Sequence, residues 1–341
     1  MTFLQKAGNV LLNALKSIVP MIGDSRSEWI RKLAFLLALT VFLCSGYYLI
    51  DEVWLQPRYT QEVTHSLRDL YENGEEDSGL TDPDAETPIE FPEGMDPSFE
   101  PLYRRNQDVV AWLTFTADGN GTGEDLFGGA IDNPVVQRDK EYYLYRNFFG
   151  KDDKAGTLFM DHRNDISTVS TQRNTIIYGH NLNSKLMFSR FNLLVSGKVE
   201  RARMMSTLTL ETLYGEKETY KVFAVMVLDN EAKGTDYFDY IRTNFPTDET
   251  FELFINKIQQ RSLYTFGDVD VLPSDQLLTL STCSNKRDTT LKDGRTVIVA
   301  RRVRDDEAAV VDTSKTVLNE TVLMPKAWYV NKGLEIPKEY Q

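Results

Sequence analysis

An uncharged apolar run of eighteen residues, 33–50, constrains this chain more than any other feature of its sequence. At about 1.5 Å rise per residue, a helix of that length nearly crosses a hydrocarbon core about 30 Å thick, and Trp54-Leu55 can extend it. Basic residues precede the run and acidic residues follow it (Arg26, Arg31 and Lys32; Asp51 and Glu52). The positive-inside rule therefore predicts a single-pass helix at 33–50, with a cytoplasmic N-terminus and everything after residue 51 outside.

A cleaved signal peptide is the alternative interpretation of this run. The run starts late, is long for the apolar part of a signal peptide, and has no clean A-x-A cleavage site after it, so a retained anchor is favoured. Residues 1–32 form a cytoplasmic segment with apolar spacing over 2–22, flanked by Lys6 and Lys16. This spacing predicts a helix on the membrane surface, and a frayed amphipathic tail is the alternative.

The net charge of −13 is spread unevenly along the chain. Residues 51–100 are expected to form a stalk, with a helix that starts after Pro57 and ends at Asn73-Gly74. Residues 72–100 contain eleven acidic residues and no Lys or Arg, which predicts a flexible extended linker. Residues 101–304 carry 27 charges of each sign. The acidity thus belongs mainly to the stalk, and no basic stripe indicates a nucleic-acid partner.

Residues 101–306 have the pattern of a folded domain that is mainly β with added helices. Short β-branched or apolar runs predict strands at 109–115, 157–160, 175–178, 205–213, 218–228, 277–282 and 296–303, which suggests a barrel or a sandwich. Apolar residues at helical spacing predict one helix at 247–261, capped by Thr247 or Asp248. Residues 117–129 are expected to form a long loop. Residues 307–341 form a C-terminal extension of unknown role.

Only two cysteines are present, which excludes a disulfide-rich scaffold. Cys44 lies in the apolar run, whereas Cys283 ends a predicted strand and is either an inert core residue or a nucleophile. A nucleophilic thiolate needs a proton-transfer partner and a donor for the developing oxyanion. His180, which follows Gly179, and Arg295, which opens a strand, are the candidates, and a strand-edge salt bridge is the alternative for Arg295. His162 and Asp161 lack a convincing spacing for a metal site.

Several motifs together resemble one known family. Thr279–Cys283 reads TLSTC, Tyr178–Asn181 reads YGHN, and Arg295 opens the strand RTVIVAR. Upstream segments match as well: Asn106–Asp108, Ala111–Leu113, Ile131–Gln137, Tyr142–Leu144, Ala155-Gly156 and Phe159–Asn164. Over residues 101–304 the chain resembles the sortases, which are membrane-anchored cysteine transpeptidases of Gram-positive surfaces, and most of all class B.

The resemblance implies an eight-stranded sortase-type β-barrel, preceded by the transmembrane helix. It implies that Cys283 is the nucleophile, His180 the general acid and base, and Arg295 the donor to the oxyanion. Residues beside the motifs are expected to bind substrate: Thr282, Ser281, Asn181, Ser284 and Asn285. No cofactor or metal is implied.

The implied reaction cleaves a C-terminal sorting motif of a surface protein after its Thr and forms a thioester. An amine of a peptidoglycan precursor or a pilin lysine then takes the acyl group. The implied location is the cell membrane, with the catalytic domain extracellular.

Some features depart from the class B pattern or leave alternatives open. Residues 118–129 look inserted, and Arg287 is a rival for the role of Arg295. Residues 96–99, Asp-Pro-Ser-Phe, are similar to the lid motif of pilus-building class C sortases. Two other classes of protein remain as alternatives: a hydrolytic cysteine protease of another fold, and an anchored binding module in which Cys283 is inert.

Overall fold

The computed structural model describes residues 17–74, 89–115, 131–181, 186–283 and 289–341, and the chain divides into two compact units at Tyr59/Thr60. The first unit contains helix α1 (Arg26–Ile50). Ser25 begins this helix with a capping box, because its hydroxyl accepts from the Glu28 N–H while the Glu28 carboxylate accepts from the Ser25 N–H. The apolar side chains of α1 are largely exposed, for example Phe42 at 72%. The helix is long and apolar enough to cross a membrane, which is compatible with a single-pass anchor.

Most of the predicted membrane-surface helix lies outside the described residues, since the description starts at Ser17. After α1 the helix continues through a π-helical turn (Asp51–Leu55) into α2 (Gln56–Asn73). The end of α2 agrees with the prediction, because Gly74 adopts a φ of 65°, the left-handed conformation that glycine provides at helix ends.

The structure differs in part from the flexible stalk expected over 51–100. Within the second unit, Val63, Leu67 and Leu70 of α2 are buried against Trp112. Residues Pro97–Phe99 form a 3-10 turn that Asp96 caps, and Phe99 is fully buried. A further short helix, α3 (Glu100–Tyr103), follows at once. Burial of these apolar side chains outweighs the acidic composition at both ends of the segment, and the most acidic part, residues 75–88, lies outside the described residues.

Eight strands close into a barrel in the order β1-β2-β3-β4-β8-β9-β6-β5. Their bounds are β1 Val109–Phe115, β2 Ile131–Val136, β3 Leu158–Met160, β4 Asn174–Tyr178, β5 Thr207–Thr212, β6 Lys217–Asp229, β8 Leu277–Cys283 and β9 Gly294–Arg302. The predicted strands all appear in the barrel, and β5 pairs antiparallel with β6. Strand β2 was not predicted as a strand. The predicted loop at 117–129, with the inserted-looking residues 118–129, lies outside the described residues.

The pairing of β4 with β8 is parallel, whereas β8 and β9 run antiparallel. Tyr178 pairs with Ser281 across β4 and β8, and Cys283 pairs with Arg295 across β8 and β9. The C-terminal ends of β4 and β8 and the N-terminal end of β9 therefore meet at one rim of the barrel.

A short helix, α4 (Val199–Arg203), precedes β5, and the predicted helix forms as α5 (Asp248–Arg261). Thr247 caps α5 by accepting from the Thr250 N–H. Its buried face carries the apolar residues of the predicted pattern: Phe251, Phe254, Ile255 and Ile258. Helix α5 lies between β6 and β8 in the sequence, and its apolar face packs onto the barrel core.

The C-terminal extension, residues 307–341, also belongs to the packed structure. Its strand β10 (Thr316–Leu318) pairs with β7 (Tyr264–Phe266), which follows α5. Met324 is buried in the main core, and helix α6 (Lys326–Lys332) packs Trp328 and Tyr329 against it. The extension begins at Glu307, whose carboxylate pairs with the fully buried Arg301 of β9.

Candidate active site

Cys283 is the last residue of β8, and its side chain is exposed. The residues before it in β8 are buried, since Leu278 and Leu280 lie in the core. Because successive strand residues face opposite sides, Ser281 and Cys283 project away from that core. An exposed thiol contradicts the alternative in which Cys283 is an inert core residue.

Arg295 lies directly across from Cys283 on β9, and 22% of its side chain is exposed. Its guanidinium donates to the Asp293 carboxylate and to the Gly294 carbonyl oxygen. Burial disfavours its charge, but the neighbouring Cys283 and Asp293 outweigh burial and raise the pKa of Arg295 above its usual value. The guanidinium is thus a fixed positive charge beside the thiol. The rival Arg287 lies outside the described residues.

His180 follows the end of β4, where its backbone carbonyl accepts from the Phe188 N–H. The imidazole donates to the carbonyl oxygen of Leu144, and the Tyr145 ring lies over it with 5.0 Å between centroids. Its Nε2 atom is buried and has no hydrogen-bond partner among the described residues. Burial, which the bond to Leu144 only partly offsets, lowers the pKa of His180 and favours the neutral ring.

Gly179, which precedes His180, is required by close packing and not by its backbone conformation. It has no positive φ; instead, a Cβ atom there would lie 2.5 Å from Leu158 Cδ2 and 2.7 Å from Phe188 Cδ2. Leu158 and Phe188 therefore leave no room for a side chain at position 179, directly before His180.

Three of the five residues predicted to bind substrate lie close to Cys283 in the structure. Asn181 donates to the Cys283 carbonyl oxygen at 2.6 Å, and Asn192 donates to Asn181 in turn, so Asn181 fixes the end of β8. Ser281 and Thr282 are buried in β8 but border the groove beside Cys283. Ser284 and Asn285 lie outside the described residues.

One groove of about 840 Å³ brings the three predicted catalytic residues together. Besides Cys283, His180 and Arg295, its lining includes Tyr145, Asp161, His162, Arg163, Tyr178 and Tyr240. The resemblance to a class C lid has no support here, because Asp96–Phe99 does not line the groove and Phe99 packs edge-on against Tyr71.

Sequence reasoning missed Tyr240, which lies in the loop before α5. Its hydroxyl is 3.0 Å from Ser281 Oγ, and burial raises its pKa although nearby Arg295 acts in the opposite direction. A loop tyrosine has no periodicity, so the sequence held no signal for it.

A second network was also missed at the other wall of the groove. Tyr178 donates to Asp161 at 2.7 Å, and Arg163 pairs with the same carboxylate at 2.8 Å. Burial opposes ionisation of Asp161, but these donors prevail and lower its pKa to about 2. Arg163 also donates to the Ile241 carbonyl oxygen and so joins this wall to the loop that carries Tyr240.

Comparison with known proteins agrees with the fold. A family model described as the sortase domain matches residues 130–303. Sortase B from Listeria monocytogenes is 30% identical over 269 residues, which cover 79% of this chain and 94% of that protein. Sortase B from Staphylococcus aureus is 29% identical over 214 residues, 62% of this chain and 77% of that protein. The crystal structure of sortase B from Bacillus anthracis in complex with AAEK1 aligns with a TM-score of 0.56 and 29% identity, covering 74% of this chain and all of that one.

A closed eight-stranded barrel with an exposed thiol on its groove, together with these matches, defines a cysteine transpeptidase. The chain belongs to the sortase family, and the relatives that it matches are sortases of class B.

Proposed function

We propose that this sortase cleaves a C-terminal sorting motif of a surface protein after its Thr, holds the protein as a thioester on Cys283, and transfers it to an amine. The observation that carries the proposal is the pairing of exposed Cys283 with Arg295 on one groove that also contains His180. A nucleophile, a proton carrier and a fixed cation are the three groups that acyl transfer through a thioester requires.

In the first half-reaction, the neutral imidazole of His180 takes the proton of the Cys283 thiol. The thiolate attacks the carbonyl carbon of the Thr residue, and the carbonyl π electrons move to oxygen. The guanidinium of Arg295 stabilises this oxyanion, because its charge is permanent and held in place by Asp293. The C–N bond then breaks, and the imidazolium gives its proton to the leaving amine.

In the second half-reaction, an acceptor amine attacks the thioester carbonyl. The neutral imidazole takes a proton from the attacking nitrogen, the C–S bond breaks, and the Cys283 thiolate leaves with the proton returned to the His180–Cys283 pair. The buried ring favours its neutral form, which suits this acceptance of a proton near neutral pH. The acceptor is an amine of a peptidoglycan precursor or a pilin lysine.

The residues around the nucleophile have supporting roles in this proposal. Asn181 holds the carbonyl group of Cys283 and so fixes the thiol at the end of β8. Ser281 and Thr282 border the groove. We also propose that Ser284 and Asn285, which follow Cys283 in the sequence, contact the sorting motif.

Helix α1 bears on where the protein is located in the cell. We propose that it anchors the protein in the cell membrane with the N-terminus cytoplasmic, as the flanking charges indicate. The catalytic domain, placed outside at residues 101–306, then meets surface proteins and lipid-linked acceptors at the same membrane face.

Full-length protein in detergent tests the proposal. Incubation with a panel of peptides that carry Thr-containing sorting motifs should give a protein mass increased by the N-terminal part of one peptide. The adduct should disappear in Cys283→Ala and persist in the matched control Cys44→Ala, whose thiol lies in α1. Triglycine or a lysine peptide should then release the acyl group as an amide.

Two outcomes would contradict parts of the proposal. Acyl transfer that survives in Cys283→Ala would remove the thioester mechanism. Release of acid alone, at a rate that added amines do not change, would favour a hydrolytic cysteine endopeptidase. Transfer to the lysine peptide but not to triglycine would favour pilus assembly.

A further inference from the structure

The C-terminal extension, residues 307–341, starts after the region that the sortase family model matches. Its hydrogen bonds reach the C-terminal end of α5 and the residue that follows it. Leu323 N–H donates to the Gln260 carbonyl oxygen at the end of α5, and Asn319 donates to the Ser262 carbonyl oxygen just after it. The extension is therefore positioned to act on the loops beside the site.

The first of these loops is the pre-helix loop, residues 230–247, which carries Tyr240. Its residue Asp236 accepts from the Lys326 N–H, which is 3.2 Å from both carboxylate oxygens. Tyr240 in turn lies 3.0 Å from Ser281, two positions before Cys283. The extension and β8 thus both contact this loop, at Asp236 and at Tyr240.

The second loop joins Cys283 to Arg295. Asn331 in α6 donates to the carbonyl oxygen of Thr290 in this loop at 2.8 Å. Thr290 has a φ of 61°, which a β-branched residue rarely adopts unless its surroundings hold it there. The extension is one of the surroundings that hold it.

A small cavity, the rear chamber, lies where Arg295, the pre-helix loop and the extension meet. Its volume is about 40 Å³, enough for one or two waters. Arg295 and Tyr240 line one part of it, and Leu323, Pro325 and Tyr340 of the extension line the other. Tyr340 is only 4% exposed, and its hydroxyl donates to the Met324 carbonyl oxygen at 2.9 Å.

We infer that the C-terminal extension is a positioning element of the active site, in which the Tyr340 ring closes the rear chamber and keeps Arg295 directed at Cys283. The inference rests on the proposed roles of Cys283 and Arg295. With the ring in place, the guanidinium pairs with Asp293 beside the thiol, although Asp229, Asp236 and Arg261 also line the chamber. Without it, water enters from behind, and the cation is free to turn away from the thiol.

The test measures the alkylation rate of Cys283 by iodoacetamide at neutral pH, in full-length protein in detergent on a Cys44→Ala background. A nearby cation promotes the reactive thiolate, so Arg295→Ala sets the rate for complete loss of this effect. We expect Tyr340→Ala to slow alkylation by at least about threefold, towards the Arg295→Ala rate. Tyr340→Phe keeps the ring and should stay within about 1.5-fold of the parent rate.

Trp328→Ala is the matched control, because Trp328 is a partly buried aromatic residue of the extension that does not line the rear chamber. It should lower the melting temperature as Tyr340→Ala does and leave the alkylation rate unchanged. Tyr340→Leu serves in place of Tyr340→Ala if the alanine variant does not fold.

Parent-like alkylation in folded Tyr340→Ala or Tyr340→Leu would overturn the inference, as would equal slowing by Trp328→Ala. Slowing by Tyr340→Phe would assign the effect to the hydroxyl and overturn the role of the ring. Because iodoacetamide replaces the sorting peptide, these outcomes are distinct from a failure of the proposed transfer reaction.

Discussion

Gly179 offers a sharp test of how the barrel presents His180. In Gly179→Ala, the new methyl group would lie 2.5 Å from Leu158 Cδ2 and 2.7 Å from Phe188 Cδ2. Carbon atoms in contact prefer about 3.5–4.0 Å, so both neighbours must move by about 1 Å. Leu158 and Phe188 are fully buried, and a close-packed interior offers little room for that movement.

Overpacking of this kind costs about 1–3 kcal/mol, and we take about 2 kcal/mol for two simultaneous contacts. At roughly 2–4 °C per kcal/mol for a domain of this size, the melting temperature should fall by about 4–8 °C. Because the backbone that yields most easily is the segment leading to His180, we also expect the acylation rate to fall by about 10- to 100-fold.

Thermal unfolding and single-turnover thioester formation measure the two effects in full-length protein. Gly46→Ala is the matched control, since nothing lies within 4 Å of a Cβ atom there, and both quantities should stay at parent values. Leu158→Val shortens the residue that makes the closer contact, so the double variant should be less destabilised than the sum of the single changes by about 1 kcal/mol. Parent stability in Gly179→Ala, or strict additivity in the double variant, would refute the steric explanation.

Three further changes test other parts of the site. Arg295→Lys keeps the charge but loses the planar fork, and the acylation rate should fall by about 10- to 100-fold, whereas Arg302→Lys on the same strand should have no such effect. Tyr240→Phe removes the bond to Ser281 Oγ, and chemical denaturation should show a loss of about 1 kcal/mol; an unchanged midpoint would contradict that bond. The folded-state pKa of Asp161 is lowered to about 2, so its stabilisation is complete well above its ordinary value near 4 and is lost as the pH falls towards 2. The stability difference between parent and Asp161→Asn should therefore narrow as the pH falls, and a constant difference would contradict the assignment.

The sequence contained enough to predict the barrel because most of its strands are β-branched or apolar runs with clear ends. Strand β2 was not predicted because Asp132, Asn133 and Pro134 interrupt its apolar pattern, and proline is rare within strands. Strands β7 and β10 have three residues each, too few to show any period. Their pairing depends on contacts between distant parts of the chain, which one sequence does not display.

The candidate site divides in the same way. Cys283, His180 and Arg295 could be proposed from the sequence because they lie at or near the ends of recognisable strands. Tyr240 lies in an irregular loop, and its position depends on tertiary packing. The flexible linker was predicted to reach residue 100 because the prediction used the mean charge of the segment. That mean does not reflect single apolar residues such as Phe99, which is buried. Burial is decided residue by residue, so an average over thirty residues is a poor guide to where packing begins.

The parallel pairing of β4 with β8 has a consequence for when the enzyme becomes active during biosynthesis. Asn181 and Cys283 lie 102 positions apart, so the histidine and the thiol have no shared surface until most of the domain has been made. Arg295 arrives still later, with the strand that closes the barrel. Pairing over such separations is slow, since the loop entropy must be lost before the contacts form. If these three residues act as proposed, we expect nascent or prematurely terminated chains to lack acyl transfer, because the reactive centre is complete only after β9 has been made.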